Sequence, residues 1–155
     1  MPVGFNANLG PGVILSTPVA AAVAVIGDRW AFMIIRDVYL GIGRFEALRR
    51  STEAARGTLT SRLKALVANG ILSRRAYQSS PIRHEYRLTE KGLDLYPIVL
   101  MLWAWDLRWG GGGNLPSQLI HETCGHSLVP IYRCGTCEQP LNSSNVNWTV
   151  SSNFQ

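Results

Sequence analysis

The segment ARGTLTSRLKALVANGILSRR, residues 55 to 75, limits the fold more than any other part of the chain. Wound at about 100 degrees per residue, it places Leu59, Leu63, Leu66 and Val67 within one arc, a stripe that needs a core to pack against. The opposite arc carries Gly57, Thr58, Ser61, Lys64, Ala65 and Ala68, with Thr60 and Arg62 on its flanks. Asn69 and Gly70 are the residues that end such a helix. The result is a helix with an anchored back and a front that is small, hydroxylated and basic.

Its neighbours extend the pattern. Thr17 and Pro18 have the form of an N-cap and first helical residue, and VAAAVAVI continues as a small-residue helix to Gly27. Asp28 caps a second predicted helix, RWAFMIIRDVYL, which Gly41 and Gly43 end, and RFEALRR forms a short third that turns Phe45 and Leu48 inward and Arg49 and Arg50 to solvent. After the two-faced helix, ILSRRAY and HEYRLT read as strands joined by a QSSPIR loop. Helices followed by a two-stranded hairpin are the order of a winged helix-turn-helix. The predicted fold class is mainly α with a small antiparallel β-hairpin. A last helix, EKGLDLYPIVLMLWAWDLRW, is apolar on every side through its middle, so one face must meet its own domain and another a partner. A twofold homodimer is the commonest use of such a face.

The predicted organisation is a loose arm over residues 1–16, a DNA-binding and dimerisation domain over 17–109, a Gly-rich linker over 110–116, a small zinc-ribbon-like module over 117–141 and an unstructured tail over 142–155. With 46% hydrophobic and 16% charged residues, 155 residues suffice for one domain with a core and a small appendage. The net charge of +5 is unevenly spread: between Arg44 and Arg87 lie ten basic residues and three acidic ones. Such a charge attracts polyanions or acidic surfaces without selecting among them. The longest apolar run, Tyr96 to Trp105, falls short of the roughly 20 residues of a membrane span. Three cysteines, an odd number, all between residues 124 and 137, do not fit a secreted disulfide framework and point to the cytoplasm.

The segments PVAAAVAVIGDRW, IIRDVYLGIGRFEALRR, TSRLKALVANGIL, RHEYRLTEKG and LYPIVLMLWAW resemble the HxlR-type winged helix-turn-helix regulators of bacteria from about Thr17 to Trp109. The resemblance implies a homodimer on pseudo-palindromic operator DNA, most often as a repressor. Two positions depart from the family pattern. Redox-responsive members commonly carry a cysteine where this chain has Thr17, and a hydroxyl forms neither a sulfenic acid nor a disulfide. Sensing at that position is excluded. The family also tends to cap its recognition helix with Ser, where this chain has Ala55, a change typically costing about 1 kcal/mol unless Thr52, water or DNA phosphate substitutes.

In this architecture the recognition-helix candidates are Arg56, Gly57, Thr58, Thr60, Ser61, Arg62 and Lys64. Thr58, Ser61 and Arg62 are placed for base edges and the small residues allow close approach. Backbone and wing candidates are Arg29, Arg44, Arg75, Ser79, Ser80 and Arg83. The dimer contact is assigned to Val19, Val23, Leu95, Val99, Leu102, Trp103 and Asp106. Trp103, Trp105 and Trp109 beside it raise a small-molecule effector as a further partner.

In HETCGHSLVPIYRCGTC, the pairs His121-x2-Cys124 and Cys134-x2-Cys137 have the spacing of two zinc knuckles, with His126 the rival fourth ligand. A ribbon without metal and a Cys134–Cys137 disulfide are the alternatives. No Gly-rich phosphate loop and no nucleophile–base pair is present, so the chain does not read as an enzyme. The rival to an operator-binding regulator is a winged helix whose basic face meets an acidic protein.

Overall fold

The structure, a computed structural model, describes residues 18–110 and 119–146. The expectations for the arm over 1–16, for Thr17, for the linker beyond Gly110 and for the tail beyond Val146 lie outside the described residues. Contacts gather the chain into two compact units, the described residues up to Leu102 belonging to one and those from Trp103 onward to the other.

The element order is α1 (Pro18–Ile26), α2 (Arg29–Tyr39), α3 (Phe45–Thr52), α4 (Arg56–Ala68), β1 (Leu72–Ser79), β2 (Ile82–Leu88), α5 (Glu90–Leu93) and α6 (Tyr96–Trp109). Helices and an antiparallel hairpin in this order make a winged helix-turn-helix. Local chemistry sets the helix ends. Asp28 caps α2 by accepting from the backbone N–H of Trp30 at 2.9 Å and of Ala31 at 3.1 Å. At the other end Gly41 takes φ +84°, and Ile42 N–H reaches back to the Asp37 carbonyl at 2.8 Å. Helix α4 ends the same way, with Gly70 at φ +69° and Ile71 N–H on the Leu66 carbonyl at 2.9 Å. Both are Schellman closures, which need a residue at ease with positive φ.

The core of the first unit is built from Ile26, Ala31, Ile34, Ile35, Val38, Leu48, Ala54, Leu59, Leu63, Leu66, Ile71 and Leu72. Leu59, Leu63 and Leu66 are fully buried, as the stripe requires, but Val67 stays 36% exposed. Val67 lies about 80 degrees round the helix from Leu59, at the edge of the buried arc. The strands also run further than expected. Pairing extends from Leu72↔Leu88 to Ser79↔Ile82, so most of the expected QSSPIR loop is strand and the turn is Ser80–Pro81. Skipping Tyr77 between Ala76↔His84 and Gln78↔Arg83 keeps the ladder in step past a bulge.

The single long helix expected after Thr89 is two helices, α5 and α6, separated at Asp94 and Leu95. Pro97 explains the break: it offers no N–H and is tolerated only in a helix's first turn. Thr89 caps α5 by accepting from Gly92 N–H at 3.1 Å and donates its hydroxyl proton to the Gly70 carbonyl at 2.6 Å, which ties the wing's end to the end of α4. Gly92 is required there, since a Cβ would stand 2.3 Å from the Ile71 carbonyl oxygen. Among the described residues no single helix is long and apolar enough to cross a membrane.

Candidate nucleic-acid interface

Helix α4 is aimed by the turn that precedes it. Glu53 adopts left-handed φ 55° after α3, and the buried Thr52 hydroxyl donates to the Leu48 carbonyl at 2.7 Å while accepting from Ala54 N–H at 3.4 Å. Thr52 therefore closes the turn and does not cap α4. Ala55 supplies no side-chain cap either. The first turn of α4 keeps its unpaired N–H groups and the positive end of its dipole beside Arg56, an arrangement that suits an anion. Glu46 of α3 offsets part of that charge by pairing with Arg56 and, at 3.0 Å, with Arg49. The hydrogen bond from Arg49 is the first cause of a Glu46 carboxyl held below the ordinary carboxylate range, with the nearby Arg56 charge adding to it. Arg56 also lies over the Phe45 ring, 5.2 Å from its centroid.

Along the front of α4, Arg56, Gly57, Ser61 and Lys64 are exposed, and Thr58, Thr60 and Arg62 are half-buried. A Cβ added to Gly57 would meet nothing within 4 Å, so no neighbour in the fold demands glycine there. Arg62 is engaged: its Nε lies 3.3 Å from Oδ2 of Asp28, the carboxylate that caps α2. In this state its guanidinium is tied to its own domain.

Other candidates sit on the hairpin and beside it. Arg75 is exposed and stands opposite Glu85, whose carboxylate pairs with Arg87. Arg83 is exposed opposite Gln78, and Ser79 and Ser80 are exposed at the tip. The guanidinium of Arg44 stacks over Tyr77 at 4.4 Å, and that of Arg29 over Trp30 at 4.4 Å. Among the described residues Arg50, Lys64, Arg75 and Arg83 take part in no ion pair. Two residues of this surface were not among the sequence candidates. Arg50 is an exposed, unpaired cation on α3, the helix that in this architecture crosses the DNA backbone, and that position was the available signal. Tyr77 is the platform that orients Arg44, and nothing in the sequence announces its bulge.

The residues expected at a dimer contact divide. Val19 and Val23 of α1 are 57% and 56% exposed and Leu102 is 49% exposed, whereas Leu95 and Val99 pack against the core of their own unit. Asp106 is exposed and Trp103 half-buried. For a small molecule, the first unit offers an open cleft of about 350 Å³ lined in part by Val38, Tyr39, Tyr86 and Leu93.

The expected zinc ligands are not brought together. His121 Nδ1 lies 3.2 Å from Cys124 Sγ, and Cys134 and Cys137 form a second pair. Backbone N–H groups of Cys137 and then Thr136 point at the Cys134 sulfur and hold its thiol below the ordinary range. Among the described residues, however, no three His, Cys, Asp or Glu groups converge on one point.

Comparison with known proteins agrees with this geometry. Residues 25–112 match the model of the HxlR-like helix-turn-helix family. Rv3095 of Mycobacterium tuberculosis, an uncharacterized HTH-type transcriptional regulator, is 39% identical over 129 residues, which span 83% of this chain and 82% of that one. The crystal structure of PA1607, a candidate transcription factor, superposes with a TM-score of 0.76 at 29% identity, covering 88% of this chain and 96% of that one. The redox regulator HypR in its oxidized form gives a TM-score of 0.55 at 35% identity, covering 59% of this chain and 96% of that one.

Proposed function

Because the chain belongs to the HxlR-like helix-turn-helix family of transcriptional regulators, with DNA as its partner, we propose that it acts as a homodimeric repressor on pseudo-palindromic operators. The observation that carries the reading is α4: Leu59, Leu63 and Leu66 are buried behind it while Gly57, Ser61 and Lys64 stay exposed in front. A helix held this firmly presents its front to the major groove as one rigid surface. Thr58 and Ser61 then face base edges. Arg44, Arg50, Arg56 and Lys64 hold phosphates, and Arg75 and Arg83 follow the flanking backbone from the wing.

Dimerisation follows from surface that a monomer would leave in water. Helix α1 exposes Val19 and Val23, and α6 exposes Leu102, Trp105, Leu107 and Trp109. A second copy covers such faces most economically in symmetry terms, and it doubles the DNA contacts. A regulator seated across a promoter on two half-sites about one helical turn apart excludes polymerase.

The test is a mobility-shift titration of the full chain against the DNA upstream of its own coding region, alongside a shuffled duplex. A clear preference for the native sequence supports the reading, and equal affinity for both sinks it. A promoter reporter fixes the direction of control: expression rises on deletion for a repressor and falls for an activator. An aromatic effector, if it binds, quenches fluorescence from the exposed Trp105 and Trp109, and a broad panel without response removes it.

A further inference from the structure

The turn that leads into α3 is stitched to the wing. Tyr86 N–H donates to the Gly43 carbonyl at 2.8 Å, and Arg44 forms an antiparallel bridge with Glu85. Gly43 permits this approach, since a Cβ there would run into the Tyr86 carbonyl oxygen. Glu85 pairs with Arg75 of β1 on its other side, so β2 lies between β1 and this turn.

Arg44 opens α3 without capping it. Its carbonyl accepts from Leu48 N–H at 2.9 Å, but its side chain makes no cap hydrogen bond. The guanidinium instead lies over the Tyr77 ring, 4.4 Å from the centroid. Tyr77 is the residue that the β1 bulge leaves without a partner on β2, and a bulge is where a strand re-aims a side chain. The contact therefore crosses β2 and joins the wing's outer strand to the start of α3.

For an arginine that must meet an anion, the part of the guanidinium in use is decisive. An ion pair spends N–H donors along the edge of the plane, whereas an aromatic ring holds the plane by its face and leaves that edge free. Arg36, Arg49, Arg56, Arg62 and Arg87 are all engaged with carboxylates. Arg44 takes part in no ion pair among the described residues, and Glu85, its partner across the bridge, is occupied by Arg87 Nε at 2.7 Å and Nη2 at 2.6 Å. Arg29 and Arg108 also stack on rings, but on those of their own sequence neighbours, Trp30 and Trp109. Arg44 is a cation held by a ring from another element with its donors unspent. We propose that Tyr77 is a positioning residue, which presets the Arg44 guanidinium for a bidentate contact to a DNA phosphate. A side chain fixed in advance loses less freedom when the phosphate arrives, and the free edge matches two phosphate oxygens. The ring carries this role and the hydroxyl does not. The inference rests on the reading of the basic face as the surface that meets DNA.

The test is a double-mutant cycle on the full chain, read by mobility shift on the upstream duplex and on the shuffled one. Tyr77→Leu should weaken binding to both by about three- to tenfold, and Tyr77→Phe should bind as wild type does. Arg44→Gln should weaken binding at least as much, and adding Tyr77→Leu to it should change affinity by less than about twofold. Losses that multiply in the double variant overturn the proposal, because a wing that has merely lost its shape would weaken the Arg44→Gln protein as well. Equal losses for the Phe and Leu variants overturn it, and so does a Tyr77→Leu protein that binds as wild type. Where Tyr77→Leu fails to fold, the free wild-type protein supplies the measurement: the ring should shift the Arg44 side-chain proton resonances upfield, and unshifted resonances overturn the proposal. A wild type that prefers neither duplex removes the operator reading alone, since the cycle is still read on the shuffled duplex. Binding to neither duplex removes both.

Discussion

If α4 meets DNA as proposed, its front separates residues that serve the fold from residues that serve DNA. Gly57 costs the helix about 0.5–1 kcal/mol relative to Ala, and the open space around it shows that the fold asks for nothing in return. Gly57→Ala therefore raises stability in thermal or urea unfolding while it weakens operator binding, because a methyl group then stands between backbone and DNA. Stability and binding moving together would place the glycine's role in the fold instead. Asp28 allows a second separation. Asp28→Asn keeps a side-chain cap on α2 but removes the charge that holds Arg62. Stability should change by less than about 1 kcal/mol, the usual worth of a partly exposed pair, while DNA affinity rises as the guanidinium is released. Unchanged affinity would mean that DNA already withdraws Arg62 from Asp28 without cost. The absent cap at Ala55 was legible in the sequence. The Asp28–Arg62 pair was not, because it joins two helices more than thirty residues apart and depends on how they pack.

At the scale of elements, period and punctuation carried most of the fold. The leucine stripe, Asp28, Gly41 and Gly70 each name a local event, and those events occur where the sequence puts them. The misses are positions where two local signals compete. Serines and Pro81 argue for a loop, but cross-strand pairing carries the ladder to Ser79 and Ile82. Apolar periodicity argues for one long helix after Thr89, but Pro97 divides it. The stripe itself is testable by contrast. Leu63→Ala removes a fully buried side chain and should cost about 2–5 kcal/mol in denaturant unfolding. Val67→Ala, at the exposed edge of the same helix, should cost less than about 1 kcal/mol. Equal losses would contradict the orientation of α4, and with it the face assigned to DNA.

For the whole molecule, charge and symmetry make one joint prediction. The excess of basic over acidic residues between Arg44 and Arg87 was plain in the sequence, but which cations remain available required the ion pairs of Glu46, Glu85 and Asp28. Arg44, Arg50, Lys64, Arg74, Arg75 and Arg83 take part in no ion pair among the described residues. If each protomer of the proposed dimer neutralises about three to five phosphates, the logarithm of its affinity falls with the logarithm of salt at a slope of about −5 to −9. Lys64→Ala removes one contact per protomer and should lower that slope by about 2 while weakening every duplex alike. Leu102→Glu places a charge on an exposed apolar position without disturbing the core. It should give monomers in sedimentation velocity, and the slope should fall to about half, since each molecule then meets one half-site. A Leu102→Glu variant that sediments as a dimer would remove α6 from the contact. Wild-type binding that barely changes between low and physiological salt would remove the phosphate contacts themselves, because no arrangement of these arginines on a duplex can neutralise phosphates without releasing counterions.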